Sequence, residues 1–302
     1  MGSYAGSSRD RQGSVATGDG AGPDAGAASR QDDERFAAVV DAIGDTPWML
    51  PHQGRRVWDH LRQTRATDVL DIGTCYGVSA AYMAAALAAN GGGRVVTVDS
   101  GQFDEGSDVP GWCRQLWERC GVADVVEMVR IPHSNYAWWL MEQVAARSDR
   151  HGNCTPAYDF AYLDGAKWLA LDTAAVVFTA QLLRPGGWLL MDDLDWSYEQ
   201  HPELAPIVDL PGAGVSYRLS SAEIARPHLR AVYDLVVKHD PSFTSFIEQD
   251  GSWGWARKDP GQPRRLVLDV ARPGWVDQAR WLVGAVRSRV GGRRSAGRQA
   301  PG

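Results

Sequence analysis

Between residues 66 and 193 short apolar runs alternate repeatedly with helical stretches, and few folds accept such a rhythm. TDVLDIG, RVVTVDS, DVVEMVRI, YDFAYLD and WLLMDD read as strands; VSAAYMAAALAAN, PGWCRQLWERCG, SNYAWWLMEQVAAR and WLALDTAAVVFTAQLL read as the helices between them. Strands bounded by helices of this length form a parallel sheet covered on both faces. The expected fold is therefore α/β, a Rossmann-like doubly wound sheet. Before it, DDERFAAVVDAIGD and GRRVWDHLRQT carry apolar residues at helical spacing. After it, SSAEIARPHLRAVYDLVVKH reads as a helix interrupted at Pro227, and FTSFIEQDGSWGWARK as a hairpin about Gln249, Asp250 and Gly251. That hairpin adds an antiparallel C-terminal edge to a mostly parallel sheet. RPGWVDQARWLVGAVRSRV is expected to be a last amphipathic helix.

Composition sets the domain limits. Residues 1–30 are rich in Gly, Ser, Ala and Asp and cannot bury enough surface to offset the entropy of ordering, so a disordered tail is expected. Residues 31–290 are expected to form one domain with a helical N-terminal extension, and 291–302 a disordered basic tail. A formal net charge of -6 argues against nucleic acid as partner, because phosphate neutralisation needs a basic surface. No apolar run approaches the roughly 20 residues of a membrane helix, and the N-terminus has no apolar segment typical of a secretion signal. Cys75, Cys113, Cys120 and Cys154 form no C-x-x-C pair, which disfavours zinc and suits a reducing compartment. The chain is expected to be cytoplasmic and to act on a small molecule. A homodimer is compatible with the N-terminal helices and the hairpin, though nothing in them requires it.

In sheets of this kind ligands bind beyond the carboxyl ends of the strands. The segment VLDIGTCYGVSAAYM places Gly73 and Gly77 in a tight turn between strand and helix, where a ligand can approach the backbone. Ser79 follows in the first helical turn, where free N–H groups and the helix dipole favour a carboxylate. The spacing is G-x-x-x-G, so the pyrophosphate site of a dinucleotide oxidoreductase is not indicated. Asp99 ends the second strand, placed to accept hydrogen bonds from ribose hydroxyls. Asp164 ends the fourth strand, and Asp192 and Asp193 end the fifth. Neighbouring strands lie about 4.8 Å apart, so these carboxylates come within reach of one cation. Oxygen-only ligands suit Mg²⁺ or another hard divalent ion. Lys167, three residues past Asp164, is placed to lean over the same point, where a cation and partial desolvation would lower its pKa.

As a set, DIGTCYGVSA followed by RVVTVDS resembles the first two motifs of class I S-adenosylmethionine-dependent methyltransferases. Within that class, residues 45–195 are most similar to the metal-dependent catechol and caffeoyl-CoA type O-methyltransferases and related bacterial natural-product enzymes. Gly54 matches a glycine often found ahead of the first strand in that group. The resemblance implies that Asp71 belongs to the first motif, that Gly73 lies against the amino-acid end of S-adenosylmethionine, in the turn that Gly77 closes, and that Ser79 binds its carboxylate. It further implies that Asp99 holds the ribose and that Ser134 and Asn135 contact the adenine region, with Asn where the group has Gln; His133 before them has no matching role. Asp164, counted with the cofactor residues as well, would join Asp192 and Asp193 around Mg²⁺, in an Asp-Asp form that departs from the commoner Asp-Asn and is similar to bacterial enzymes acting on sugars. Lys167 would take the proton of the acceptor hydroxyl.

The implied reaction is O-methylation of a small phenolic or sugar substrate. Two alternatives stand beside it: a methyltransferase without metal, and an enzyme that uses the cofactor as scaffold for a cyclisation. Trp168, Trp196 and Tyr198 are candidate pocket walls, although most of the 13 tryptophans are expected in the core. Asp195 is expected to be a solvated loop residue. Segments 45–55, 101–112 and 194–220 are expected to shape the acceptor pocket.

Overall fold

The computed structural model describes residues 23–101, 108–131, 134–210 and 215–261. Of the tail expected at 1–30, residues 1–22 lie outside the described residues, as do the tail at 291–302, the helix at 272–290 and His133, whereas 23–30 are not disordered but open the first helix, Pro23–Ile43. Contacts divide the chain into one unit of Met1–Ser148 with Cys154–Pro263 and another of Asp149–Asn153 with Arg264–Gly302. The first unit holds every candidate site residue.

Its centre is a seven-stranded sheet of order β3-β2-β1-β4-β5-β9-β8. Strands β1 (Asp68–Ile72), β2 (Arg94–Asp99), β3 (Val126–Arg130), β4 (Tyr158–Leu163) and β5 (Leu183–Met191) are mutually parallel. β8 (Phe243–Gln249) and β9 (Trp253–Lys258) form the expected hairpin, with β9 antiparallel to β5. Asp250 at φ 56 and Gly251 at φ 72 give the turn the left-handed pair that matches strand twist in tight hairpins. The mostly parallel sheet with an antiparallel C-terminal hairpin is thus as the sequence implied. A second hairpin, β6 (Ile207–Leu210) with β7 (Val215–Arg218), stands apart from the main sheet. Its short strands gave no readable alternation.

Side chains alternate between the two faces of the sheet. Val69, Phe160, Tyr162, Leu190 and Trp255 point to one core, which contains α2 (Pro51–Thr64), α3 (Val78–Ala89) and part of α1 (Pro23–Ile43) and α4 (Val109–Arg119). Leu70, Ile72, Ala161, Leu163 and Met191 point to the other, against α5 (Tyr136–Arg147), α6 (Leu169–Leu182) and the short helix His228–Val232. α3 is buried from Val78 through Leu87, which explains why its sequence is apolar all round rather than striped. α2 starts at Pro51, its entry fixed by the Leu50 N–H donating to Gln53 Oε1 at 2.9 Å, and ends at Arg65 in the left-handed region. α1 is fastened to α2 by Asp32 on Arg62 and Asp33 on Arg55. Among the described residues no helix is long and apolar enough to cross a membrane.

The chain runs outward from β1 through β2 to β3, then returns past β1 to β4 and β5. The loops after β1 and β4 therefore leave in opposite directions and open a crevice between them.

Candidate functional site

The crevice is built first by its backbone. After β1 the chain turns at Gly73 (φ 104), Cys75 (φ 42) and Gly77 (φ 81) before entering α3. A Cβ on Gly73 would overlap the carbonyl oxygen of Asp164, so only glycine lets the ends of β1 and β4 meet. Gly77 is fixed by Trp117, whose Nε1–H donates to the Gly77 carbonyl at 2.9 Å. Gly54, the third marked glycine, lies away from this turn and packs on the ring of Tyr82.

Beneath the turn lies a polar knot. Asp71 is fully buried and accepts hydrogen bonds from Thr97 Oγ1 at 2.8 Å and Ser79 Oγ at 3.1 Å. Burial pushes its pKa up to about 7, with the two hydroxyls opposing the shift. Thr74 and Thr97 hydroxyls share a further bond at 2.7 Å. Asp71 therefore props the turn from below rather than facing the crevice, and the Ser79 hydroxyl is engaged with it. What α3 offers a ligand carboxylate is its N-terminal N–H groups.

Asp99 stands at the end of β2, half-buried, accepting the Cys75 N–H at 2.9 Å and the Gly101 N–H at 2.6 Å. The first bond ties the carboxylate to the β1 turn and the second to its own loop, and both leave further lone pairs for ligand hydroxyls. Ser134 and Asn135 are exposed beyond β3. Asn135 Oδ1 accepts the Trp138 N–H at 2.9 Å and so caps α5, which leaves its amide group available to a ligand.

Across the crevice stand the acids of β4 and β5. Lys167 Nζ lies 2.5 Å from Asp164 Oδ1 and 3.2 Å from Asp193 Oδ2, bridging the two strand ends. Asp192 instead accepts the Tyr162 hydroxyl and, through Oδ1, the Asp193 N–H at 2.6 Å. Two of the three acids thus share the ammonium while the third is held by neutral donors. Among the described residues no three His, Cys, Asp or Glu side chains stand together in a form that holds a metal ion. Burial and the charges of neighbouring acids raise the pKa of Asp192; burial raises that of Asp193 against the pull of Lys167. For Lys167, burial alone would lower the pKa, but the charges of Asp164 and Asp193 outweigh it and raise it above the ordinary lysine value. The lowering expected from the sequence assumed a cation at the acids, whereas here the ammonium is their counterion. Lys167 and Asp193 adopt φ 59 and 57, so both bridging partners have backbone outside the usual regions.

The expected walls divide. Tyr198 is buried and donates to the Ala166 carbonyl at 2.8 Å, so it is a brace rather than a wall. Trp196 packs edge-on against it with centroids 4.8 Å apart. Asp195 is exposed and paired with Arg230 at 2.8 Å. Beside the β1 turn a cavity of about 460 Å³ is lined by Asp45, Pro47, Tyr76, Trp112 and Arg119, among others. Its rim includes the stacked rings of Tyr76 and Trp112. Sequence reasoning named parts of this rim as pocket-forming segments without identifying the residues. The buried group of Tyr136, Asp172 and His228 behind Lys167 was not foreseen.

Residues 70–194 match the family described as a methyltransferase domain. No curated protein matches the chain. Among solved structures, an SAH-bound methyltransferase of Podospora anserina superposes with a TM-score of 0.50 at 14% identity, covering 82% of this chain and 99% of that one. An O-methyltransferase from Bacillus cereus in complex with SAH gives a TM-score of 0.48 at 19% identity, covering 76% and 91%. At such identity the Podospora likeness establishes the fold, which is the Rossmann-like methyltransferase fold.

Proposed function

We propose that the methyltransferase domain at residues 70–194 moves a methyl group from S-adenosylmethionine to a hydroxyl oxygen of a small phenolic or sugar-like compound. The observation that carries this is the sheet order, which brings two half-sites together at the carboxyl ends of the strands. The turn Gly73–Gly77 with Asp99 lies on one side, and Asp164 with Lys167 on the other. In this reading the amino-acid end of the cofactor lies along Gly73 and Gly77 with its carboxylate at the N-terminus of α3. Asp99 accepts the ribose hydroxyls, and Ser134 and Asn135 border the adenine. Asp71 and Ser79 act from beneath by fixing the turn. The sulfonium methyl then points toward Asp164 and Lys167, where the acceptor oxygen is held at attack distance with water excluded. Oxygen attacks the methyl carbon, the carbon–sulfur bond breaks, S-adenosylhomocysteine leaves, and the hydroxyl proton passes to Lys167 in its neutral form.

That last role needs Asp164 and Asp193 engaged elsewhere, as they would be around a divalent cation. The donor chemistry of Asp164, Asp192 and Asp193 suits such an ion, being oxygen only at adjacent strand ends, but the three do not stand together in an arrangement that holds one. Bound there, Mg²⁺ would supply Lewis-acid lowering of the acceptor hydroxyl's pKa. A second reading, without metal, is favoured by the bridge of Lys167 across Asp164 and Asp193, which already neutralises both acids; there the lysine stays an ammonium that positions the acceptor, and the hydroxyl proton is released to solvent.

Purified protein, incubated with S-adenosylmethionine and a panel of catechols, phenols and glycosides, is expected to yield a product heavier by one methyl group in mass spectrometry. Loss of that product in EDTA and its return with Mg²⁺ would support the metal reading; undiminished turnover in EDTA would establish the metal-free one. A product without added methyl would turn the assignment to the cofactor-as-scaffold alternative.

A further inference from the structure

Lys167 sits in a backbone conformation that its own side chain disfavours, and the peptide groups on either side of it are tied down with unusual completeness. The Ala166 N–H donates to the Tyr136 hydroxyl oxygen at 3.0 Å, while the Ala166 carbonyl accepts the Tyr198 hydroxyl at 2.8 Å. On the other side, the Trp168 N–H donates to Asp172 Oδ2 at 2.7 Å and the Leu169 N–H to His228 Nδ1 at 3.2 Å. The two halves are joined, because the Tyr136 hydroxyl donates to Asp172 Oδ1 at 2.5 Å. Gly165 completes the fit: a Cβ there would overlap the Tyr136 hydroxyl.

Asp172 and Tyr136 are only 2% and 6% exposed. A carboxylate taken that far from water is costly unless its lone pairs are met, and among the described residues no ion pair to Asp172 is present. Its partners are instead the helix start and the tyrosine that grips the preceding turn. Packing of α5 against α6 would be served as well by an apolar pair.

We propose that Tyr136 and Asp172 are positioning residues. They hold the Gly165–Trp168 turn, and so fix Lys167 in its left-handed conformation against Asp164 and Asp193. Neither touches the crevice. They act by joining the start of α5 to the start of α6 through the turn that carries the lysine. The holding stands on the hydrogen bonds alone; its consequence for turnover rests on the proposed methyl transfer.

The test uses the full chain in four forms: Tyr136→Phe, Asp172→Asn, the double variant, and Tyr82→Phe as control. The Tyr82 hydroxyl is buried without a partner and belongs to the opposite core. Hydrogen exchange read by mass spectrometry is expected to accelerate about tenfold in the peptide spanning 164–170 for both single variants. The peptide spanning 74–82 and the control should stay as in the wild type. With the best acceptor from the screen, kcat should fall by about tenfold to a hundredfold. Affinity for S-adenosylhomocysteine should hold, and the double variant should be no worse than either single one, as expected for residues acting as one unit. Unchanged exchange at 164–170 would overturn the proposal, as would faster exchange with undiminished kcat or a parallel loss of cofactor affinity. Should Asp172→Asn fail to fold, Tyr198→Phe, which frees only the Ala166 carbonyl, carries the same measurements. If the wild type methylates nothing in the panel, the methyl-transfer reading falls, while the exchange data still decide whether the turn is held as described.

Discussion

Gly73 and Gly121 share a left-handed backbone, at φ 104 and 68, yet their surroundings differ completely. An added Cβ at Gly121 meets nothing within 4 Å, whereas at Gly73 it would collide with the main chain of Asp164. Gly121→Ala should therefore cost only the conformational penalty of the left-handed region, about 1–2 kcal/mol. Gly73→Ala must also push β1 and β4 apart, costing several kcal/mol by the same reasoning as other overpacked positions. Chemical denaturation of the two variants checks this, and equal losses would mean that the meeting of the strand ends is not what demands glycine. Gly73 was readable beforehand, because a glycine between strand and helix is a local signal. Asp71 was readable as a motif residue, but its task was not. Whether an acid at a strand end faces the crevice or the knot beneath depends on Thr97 of the neighbouring strand, which no local window contains. Lys167 is a similar case. The strand order and its spacing from Asp164 placed it beside the acids of both strand ends, but not as their counterion: nothing in the sequence told whether its ammonium or a cation would neutralise Asp164 and Asp193.

At the scale of elements, α2 meets the sheet through His60. The ring lies 5.5 Å from Phe160, 5.3 Å from Trp188 and 4.9 Å from Trp255, centroid to centroid. Burial among these rings holds its pKa down at about 4, against 6.5 for an ordinary histidine. Above pH 6.5 the ring is neutral in both folded and unfolded chains, and this group makes no pH-dependent difference. As pH falls from 6.5 toward 4, the unfolded chain takes up a proton that the folded chain refuses, so stability is lost through that window and levels off below it. The shift corresponds to a loss of about 3 kcal/mol. Melting curves of wild type and His60→Leu across pH 4 to 7 should converge toward the upper end and separate toward the lower, with the variant the more resistant to acid. Parallel curves would show that His60 titrates normally. The apolar side of α2, formed by Val57, Trp58 and Leu61, was legible from helical spacing. The place of His60 was not, since it depends on β5 and β9 lying side by side, and a pairing between strands so distant in the chain leaves no mark on either. β6 and β7 escaped for a plainer reason: four-residue strands are too short for alternation to emerge.

At the scale of the whole molecule, the sheet order places the loops after β1 and β2 on one side of the switch point and those after β4 and β5 on the other. A ligand spanning the crevice touches parts of the chain that lie far apart in the sequence, and it binds the folded form alone. Its binding free energy must then add to the stability of the entire unit. At a hundredfold excess over its dissociation constant, S-adenosylhomocysteine should stabilise the protein by about 2.7 kcal/mol, seen as a rise in melting temperature that grows with the logarithm of ligand concentration. Asp99 links the half-site at β2 to the turn after β1 through Cys75. Asp99→Ala should therefore abolish most of that rise, because it removes the proposed ribose acceptor and frees the turn together. Asp192→Ala should leave the rise intact, because Asp192 is bound to Tyr162 and the Asp193 N–H on the far side of the crevice. Under the metal reading, it should weaken any further stabilisation produced by Mg²⁺. If S-adenosylhomocysteine leaves the wild-type melting temperature where it is, the crevice does not hold this cofactor, whatever the likeness of its first two motifs.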